Sequence, residues 1–258
     1  MKEELAIARH AALAAGRVLM KHYGKVQASQ KKDGTLVTAA DGESERLIKK
    51  MLSRAFPSYS FLGEEGGLDE KGSEFRWVVD PLDGTTNYSM KNPFFNVSIG
   101  LLRRNEPVLG VVFSPIQKEL FCAVRGKGAF MNGKRIRVSG GADVRHSKVA
   151  FCHGRDERSV DVISGVFHSM KHMSDTFRQM GAGALELCYV ACGRLDAFLS
   201  AGIKPWDVAA GILIVREAGG LVTDFSGAEY GMYSPDILAS NGKMHAELMR
   251  ILGPSAKL

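Results

Sequence analysis

WVVDPLDGTTNY, residues 77–88, is the stretch that decides the fold and the chemistry of this chain. It begins as an apolar strand and continues into a turn. A carboxylate at the end of an apolar strand is costly to bury unless it is paired or binds a metal ion. Pro81 is expected to end the strand and fix the turn, so that Asp80 and Asp83 point the same way. These two acids are therefore candidate ligands for a hard cation.

The second part of the same stretch suits an anion. Gly84, Thr85 and Thr86 are expected to open a helix, whose first N–H groups have no partner within the helix. Such groups form a cradle for phosphate oxygens. Metal ligands beside a phosphate cradle suggest phosphoryl transfer assisted by two metal ions.

Three further acidic positions lie at the ends of predicted elements. Glu64 and Glu65 follow the short strand SFLG, Asp207 opens a helix after Pro205-Trp206, and Asp41 lies in the first turn of a helix capped by Thr38. Each position alone is more often a solvated loop or a helix cap. Their joint occurrence at element ends predicts one shared site.

The first half of the chain is predicted to be α+β. Apolar spacing predicts a helix from about Glu3 to Tyr23, then a polar turn over Lys32, Asp33 and Gly34, then a second amphipathic helix. A mostly antiparallel sheet should follow, with a hairpin at Asn132-Gly133. Its predicted strands are SFLG, RWVVD, NVSIGLL, VLGVVFS, ELFCAVR, GAFM and KRIRV.

The second half alternates strands and helices, which is typical of an α/β arrangement. The predicted strands are KVAFC, LDAFLS, LVTDF and DILAS, and the predicted helices cover 159–170, 184–192, 206–218 and 245–252. We place a boundary near Gly140-Gly141. Residues 1–140 would form an α+β half that carries most metal ligands, and residues 141–258 an α/β half that closes the cleft.

Composition excludes several classes of protein. No apolar run is long enough to cross a membrane. Glu3 and Glu4 stand where a signal peptide would carry positive charge, so a cytoplasmic protein is expected. The four cysteines form no CxxC pair, which favours free thiols over a zinc site or disulfides. The net charge of +6 comes from scattered basic residues such as Lys31-Lys32, which indicates a solvated surface rather than a nucleic-acid face.

Five motifs give the chain a specific resemblance. They are LVTAAD (36–41), FLGEE (61–65), WVVDPLDGTTNY (77–88), GKGAFMNG (126–133) and PWDVAAG (205–211). In this order and spacing the chain closely resembles the inositol monophosphatase family of magnesium-dependent, lithium-sensitive phosphatases. The resemblance implies a layered αβαβα sandwich of the inositol monophosphatase and fructose-1,6-bisphosphatase type. It also implies two to three Mg²⁺ ions per active site and a homodimer.

The resemblance also implies roles for individual residues. Glu64, Asp80 and the Leu82 carbonyl would hold one Mg²⁺, and Asp80, Asp83 and Asp207 a second. A third ion would depend on Glu64, with Glu65 nearby as a further catalytic candidate. Asp41 and the Thr85 hydroxyl would orient and deprotonate the attacking water, and Asp41, at a helix N-terminus, is expected to have a low pKa. The candidate contacts to substrate are Asp83, Gly84, Thr85, Arg155, Gly183, Ser200 and Lys204.

The substrate is left open between two interpretations. Relatives selective for inositol carry an acid seven residues before the aspartate of the WD motif, and this chain has Ser200 there. One interpretation is a phosphatase for small sugar or polyol phosphates such as inositol monophosphate. The other is specialisation for fructose 1,6-bisphosphate, 3′-phosphoadenosine 5′-phosphate or histidinol phosphate, with Arg155 and Lys204 meeting a second anionic group. A hypothesis of another class is an RNA- or protein-binding role on a phosphatase fold.

Overall fold

The computed structural model describes residues 1–31 and 33–253. The helices within these ranges are α1 (Lys2–His22), α2 (Ala39–Ala55), α3 (Thr85–Ser89), α4 (Glu157–Met173), α5 (Gly183–Ala191), α6 (Pro205–Glu217) and α7 (His245–Leu252). The strands are β1 (Ser29–Gln30), β2 (Leu36–Val37), β3 (Ser60–Gly63), β4 (Gly67–Asp69), β5 (Phe75–Asp83), β6 (Asn96–Arg103), β7 (Glu106–Ser114), β8 (Glu119–Val124), β9 (Gly128–Met131), β10 (Lys134–Arg135), β11 (Lys148–His153), β12 (Thr176–Arg178), β13 (Ala197–Ala201), β14 (Leu221–Thr223) and β15 (Asp236–Ser240). No helix in the described ranges is long and apolar enough to cross a bilayer.

The larger sheet has eight strands in the order β10-β9-β8-β7-β6-β5-β3-β4. Its neighbours are antiparallel except for β3 and β5, which run parallel. The prediction that Pro81 ends the strand is wrong. β5 continues to Asp83, and the register against β6 shifts between Asp80 and Asp83. This irregularity absorbs the proline, which has no N–H to donate, and turns the acidic end of the strand.

The smaller sheet has five strands in the order β12-β11-β13-β15-β14. The first three are parallel, whereas β15 runs antiparallel to both β13 and β14. Alternating strands and helices in the second half therefore produce a mixed sheet rather than a wholly parallel one.

Five layers stack in the order α1/α2, larger sheet, α5/α6, smaller sheet and α4/α7. The period of two along β5 explains why the larger sheet is covered on both faces. Trp77 and Val79 pack in the core under α1 and α2, while Val78 packs in the core that holds α5 and α6. Neighbouring residues of β13 alternate in the same way. Phe198 packs in the core that holds α5 and α6, and Leu199 packs in the core that holds α4 and α7. The predicted αβαβα sandwich is confirmed.

Local differences from the sequence prediction concern short elements. The predicted polar turn is the tip of the β1–β2 hairpin, in which Asp33 and Gly34 lie; Lys32 is outside the described residues. KRIRV forms a strand only at Lys134–Arg135, and β4 and β12 were not predicted. The hairpin at Asn132-Gly133 is present. The division into halves near residue 140 stays a prediction. The last five residues of the predicted second half, 254–258, lie outside the described ranges.

Two glycines set the distance between α6 and the larger sheet. Gly100 and Gly110 are directly opposite each other on β6 and β7. A Cβ added at Gly110 would lie 2.5 Å from the Ala210 carbonyl oxygen, and one at Gly100 would lie 2.8 Å from Ala209 Cβ. The pair therefore forms a flat patch on which the backbone of α6 rests.

Gly110→Ala is expected to destabilise the protein, because the new methyl would meet backbone of α6 that cannot move alone. Overpacking of this kind costs about 2 kcal/mol, or roughly 4–8 °C in Tm for a chain of this length. Thermal denaturation measures the change. Gly140→Ala is the matched control: Gly140 is exposed, with Lys243 Nζ at 3.9 Å as the neighbour of an added Cβ. Equal Tm values for the two variants would contradict the close packing of α6.

Candidate active site

A cleft of about 640 Å³ opens where the layers meet at the end of β5. It brings together most of the residues predicted for the site, which come from distant parts of the chain. The predicted residues on its walls are Glu64, Asp80, Leu82, Asp83, Gly84, Thr85, Arg155, Gly183, Ser200 and Asp207. Asp41, Glu65 and Lys204 were also predicted but do not line the cleft. Asp41 contacts Thr85 of the wall, Glu65 follows Glu64 in the chain, and Lys204 is exposed.

The acidic end of β5 is fixed by neutral hydrogen-bond donors. Asp80 Oδ1 accepts from Leu82 N at 2.9 Å. Asp83 accepts from Gly183 N at 3.1 Å, Ala184 N at 2.8 Å and Asn96 Nδ2 at 2.7 Å. Asp83 is thus directed at the N-terminus of α5, across the boundary between two layers.

Asp41 and Thr85 form a pair at the edge of this group. Thr85 Oγ1 lies 3.2 Å from Asp41 Oδ1 and 3.0 Å from the Leu82 carbonyl oxygen. Asp41 Oδ2 accepts from the N–H and hydroxyl of Thr38, which completes the predicted capping box of α2. The expectation of a low pKa for Asp41 is wrong. Burial of the carboxyl outweighs these hydrogen bonds and raises its pKa.

Glu64 and Glu65 are held by a carboxylate and a lysine. Glu45, buried on α2, accepts from Glu65 N at 2.9 Å and fixes the loop after β3. Lys31 Nζ lies 2.8 Å from Glu64 and 2.5 Å from Glu65. The prediction that Lys31 belongs to a solvated surface is wrong, because the β1–β2 hairpin carries it into the site. Although burial opposes it, contact with the two acids raises the pKa of Lys31.

Asp207 reaches the cleft from the other side, at the third position of α6. Its Oδ2 accepts from Lys204 N at 3.0 Å. Asp207 thus helps to cap α6, as its position after Pro205-Trp206 suggested. It also shares the cleft with Asp80 and Asp83 of β5.

Crowding of these acids changes their protonation. Burial, together with the charges of Glu64, Asp83 and Asp207, raises the pKa of Asp80 well above its usual value. Burial raises the pKa of Asp83 to about 6, and burial and the charge of Asp83 raise that of Asp207. The pKa of Glu64 is also raised, chiefly by burial. In the absence of added positive charge, the site can therefore reduce its repulsion only by taking up protons.

The donor set fits Mg²⁺ in its chemistry. Its members are carboxylate oxygens and the Leu82 carbonyl, which are the ligands that hard divalent ions prefer. Within residues 1–31 and 33–253, however, no three His, Cys, Asp or Glu side chains already surround one point where a metal ion could sit. Glu64 faces Lys31, and Asp83 faces the amides of α5. Metal binding would therefore require Glu64 to separate from Lys31, whereas Asp83 can keep its bonds to the α5 amides and still offer lone pairs to a cation.

The substrate side of the cleft is less charged. Ser200 is buried on β13 and pairs in register with Cys152 on β11. Arg155 lines the cleft and donates to the Gly34 carbonyl of the β1–β2 hairpin. His153 lines the cleft as well, with Nδ1 2.7 Å from the Gly154 carbonyl oxygen.

Comparison with known proteins agrees with this arrangement. The model of the inositol monophosphatase family matches residues 1–255. The chain belongs to the inositol monophosphatase family. Members of this family are phosphoric monoester hydrolases that act on small phosphorylated substrates.

Individual relatives carry different names. The chain is 37% identical to a fructose-1,6-bisphosphatase/inositol-1-monophosphatase of Aquifex aeolicus, with 97% of this chain and 96% of that protein covered. It is 41% identical to Nus factor SuhB of Xylella fastidiosa, with 94% and 91% covered. The solved IMPase of Thermotoga maritima matches with a TM-score of 0.92 at 35% identity, covering 100% of this chain and 99% of that one.

Three residues that hold parts of the candidate site were not predicted. Asn96 begins β6 and binds Asp83, and Asn87 donates to the Met180 and Phe94 carbonyls. Glu186 is fully buried on α5 and accepts from Met180 N and Ala182 N. A polar residue inside an otherwise apolar helix was the available signal for Glu186. The asparagines offered none, because Asn87 binds backbone carbonyls and Asn96 meets Asp83 only through the pairing of β5 with β6.

Asp80→Asn is expected to raise the Tm of the metal-free protein by several degrees, because a neutral amide removes the cost of either charging or protonating this buried carboxyl. It should also remove the stabilisation expected from Mg²⁺ binding to the wild type, about 2.7 kcal/mol when the Mg²⁺ concentration is a hundred times Kd. Thermal denaturation in EDTA and in Mg²⁺ measures both effects. Asp161→Asn, an exposed position on α4, is the matched control. Retention of the full Mg²⁺ shift in Asp80→Asn would show that Asp80 is not a ligand.

Glu186 predicts a pH dependence of stability. Burial raises its pKa from 4.5 to about 8, so the folded protein retains a proton that the unfolded chain releases. The contribution of Glu186 to the free energy of unfolding is full below pH 4.5 and is lost as the pH rises towards 8. The free energy of unfolding changes by roughly 3–5 kcal/mol over this range. Urea denaturation in EDTA between pH 5 and pH 8 should give a smaller decrease for Glu186→Gln than for the wild type. The exposed Glu157→Gln should match the wild type; an unchanged slope in Glu186→Gln would exclude this assignment.

Proposed function

We propose that this chain is a Mg²⁺-dependent phosphomonoesterase for small sugar or polyol phosphates such as inositol monophosphate. The observation that carries the proposal is the meeting of Glu64, Asp80, Asp83 and Asp207 in one cleft beside the turn at Gly84. These acids come from three separated segments of the chain. Their pKa values rise when no cation accompanies them, which is the behaviour of a site built for added positive charge.

Two overlapping sets of ligands support a pair of ions. Glu64, Asp80 and the Leu82 carbonyl would hold one, and Asp80, Asp83 and Asp207 the other, with Glu65 near a third and weaker position. When bound, Mg²⁺ lowers the pKa of water and neutralises charge that develops on phosphoryl oxygens. Lys31 would leave Glu64 free by moving with its hairpin.

Asp41 and Thr85 would handle the proton of the attacking water. The Thr85 hydroxyl can donate either to Asp41 or to the Leu82 carbonyl, so it can accept a proton while it passes its own to Asp41. The raised pKa of Asp41 makes it a better base than an ordinary aspartate. Thr38 keeps the carboxylate oriented towards Thr85.

The backbone at Gly84 and Thr85 would bind the phosphate. Gly84 has a φ of +90°, a backbone conformation that residues with a side chain rarely adopt. A Cβ there would also lie 3.0 Å from the Phe94 carbonyl oxygen and 3.1 Å from Ala182 Cβ. Glycine therefore permits this turn, whose N–H groups would bind the phosphate.

The nature of the walls favours a polyhydroxylated substrate. Ser200 offers a neutral hydroxyl, the Gly183 backbone lines the cleft, and the Asp83 oxygens can accept hydrogen bonds from sugar hydroxyls. Arg155 is the residue that could meet a second phosphate, as in a bisphosphate substrate; Lys204 is exposed and outside the cleft wall. The relative named fructose-1,6-bisphosphatase/inositol-1-monophosphatase keeps this alternative open.

Phosphate release from a panel of metabolites tests the proposal. The panel contains inositol 1-phosphate, fructose 1,6-bisphosphate, 3′-phosphoadenosine 5′-phosphate and histidinol phosphate, each with Mg²⁺ and with EDTA. Release that depends on Mg²⁺ and is fastest for a sugar or polyol monophosphate is expected. Asp207→Asn should reduce kcat on the order of 100- to 1,000-fold, while the exposed Asp161→Asn should not.

Two results would contradict parts of the proposal. A bisphosphate, nucleotide or histidinol phosphate turned over far faster than every sugar monophosphate would assign the chain to another branch of the family. Absence of release from every member of the panel would remove the support for the catalytic roles. Arg155→Ala distinguishes the branches further, because it should slow a bisphosphate more than a monophosphate.

A binding role is the second candidate. The chain is 41% identical to a protein named Nus factor SuhB, and its net charge is +6. A basic surface can bind nucleic acid without any contribution from the cleft. Salt-dependent binding of RNA that persists in EDTA and in Asp207→Asn would support this role.

Cytoplasmic location, a homodimer and inhibition by Li⁺ are further predictions from the family.

A further inference from the structure

One wall of the cleft is a loop that is fixed from both sides. This wall loop, residues 179–182, connects β12 to α5, and Gln179, Met180 and Gly181 face the cleft. Asn87 Nδ2 donates to the Met180 carbonyl at 2.7 Å and lies 3.3 Å from the Gly181 carbonyl. The carbonyl groups of the loop are therefore bound by a residue that follows the phosphate-binding turn directly.

The N–H groups of the same loop are bound by Glu186. Its Oε1 accepts from Met180 N at 3.2 Å, and its Oε2 accepts from Ala182 N at 3.1 Å. The Cys152 thiol donates to Oε2 at 3.0 Å. Glu186 is 0% exposed, so each of these contacts is made away from solvent.

The wall loop in turn contacts two parts of the proposed site. It leads directly into the first turn of α5, where Gly183 N and Ala184 N donate to Asp83. It also borders Gly84: an added Cβ there would lie 3.1 Å from Ala182 Cβ and 3.2 Å from the Gly181 carbonyl oxygen. A displacement of the loop would therefore alter both the orientation of Asp83 and the clearance around the phosphate-binding turn.

We propose that Glu186 is a positioning residue: its carboxyl holds the wall loop so that Gly183 and Ala184 fix Asp83 in the orientation the reaction needs. The inference rests on the proposed function, because Asp83 is there a ligand and a wall of the substrate site. Hydrogen-bond partners behind a metal ligand commonly alter metal affinity or activity by about 10- to 100-fold when they are removed. Glu186 acts one step further out, through backbone amides.

In its ionised form, which predominates above about pH 8, Glu186 accepts from two amides at once, and the measurements below are made at such a pH. Glutamine has one acceptor oxygen and would turn its NH₂ group towards an N–H group of the loop. Methionine fills a similar volume and accepts neither amide. The two substitutions therefore form a graded series in which packing is largely kept and hydrogen bonding is lost stepwise.

The test compares the wild type with Glu186→Gln and Glu186→Met in the full chain. Asp196→Asn is the matched control: Asp196 is a buried acid that also accepts from a backbone amide, Lys148 N at 2.8 Å, but it does not line the cleft. The measurements are Mg²⁺ affinity from thermal-shift titration, kcat and KM, and hydrogen exchange of the amides of residues 180–184.

Glu186→Met is expected to weaken Mg²⁺ binding at least tenfold and to speed exchange at Gly183 and Ala184, with kcat falling more than KM rises. Glu186→Gln should fall between it and the wild type. Asp196→Asn should lose stability but keep its Mg²⁺ affinity within about twofold of the wild type. If Glu186→Met does not fold, the comparison of Glu186→Gln with the wild type decides the test.

Two failures are distinguishable. A wild type that responds to Mg²⁺, with Glu186 variants that bind it equally well and exchange no faster, overturns the positioning role alone. A wild type that shows no response to Mg²⁺ and releases no phosphate overturns the proposed function. The exchange measurement then still decides whether Glu186 holds the loop. Equal losses in the Glu186 variants and Asp196→Asn would mean that general destabilisation causes the effect.

Discussion

Repulsion among buried carboxylates at the end of β5 is the constraint on which the rest of the structure depends. Asp80 is 2% exposed and Asp83 is 7% exposed, and Glu64 and Asp207 share the same cleft. Charges at this density are unfavourable in a folded protein unless rigid surroundings hold them together. The layers supply those surroundings, because the acids belong to the larger sheet and to α6, which lies between the two sheets.

Neutral donors, rather than cations, hold most of these acids. Backbone amides of α5 and the Asn96 side chain bind Asp83, Leu82 N binds Asp80, and α6 caps itself with Asp207. Donors of this kind orient a carboxylate without cancelling its charge. The negative charge thus remains available to a cation, which a network of arginines and lysines would have prevented.

The sequence predicted the parts of the site that depend on local chemistry. Asp80, Asp83 and Asp207 were found because an acid directly after apolar residues at an element end is unusual, and the five motifs then gave the family and the layered fold. Lys31 was missed because its partners are more than thirty residues away and no periodicity marks a hairpin tip. The low pKa expected for Asp41 was wrong because burial depends on which layers cover α2, and local spacing carries no information about that.

Backbone contact at Gly100 and Gly110 has a mechanical consequence for the cleft. Asp207 belongs to α6, whose backbone packs directly on β6 and β7. Its position can therefore shift very little. Glu64 and Glu65 instead belong to a short loop that Glu45 and Lys31 hold through side chains. One side of the cleft is therefore stiff and the other yields, and a change in the size of a bound group would be absorbed on the side of the hairpin.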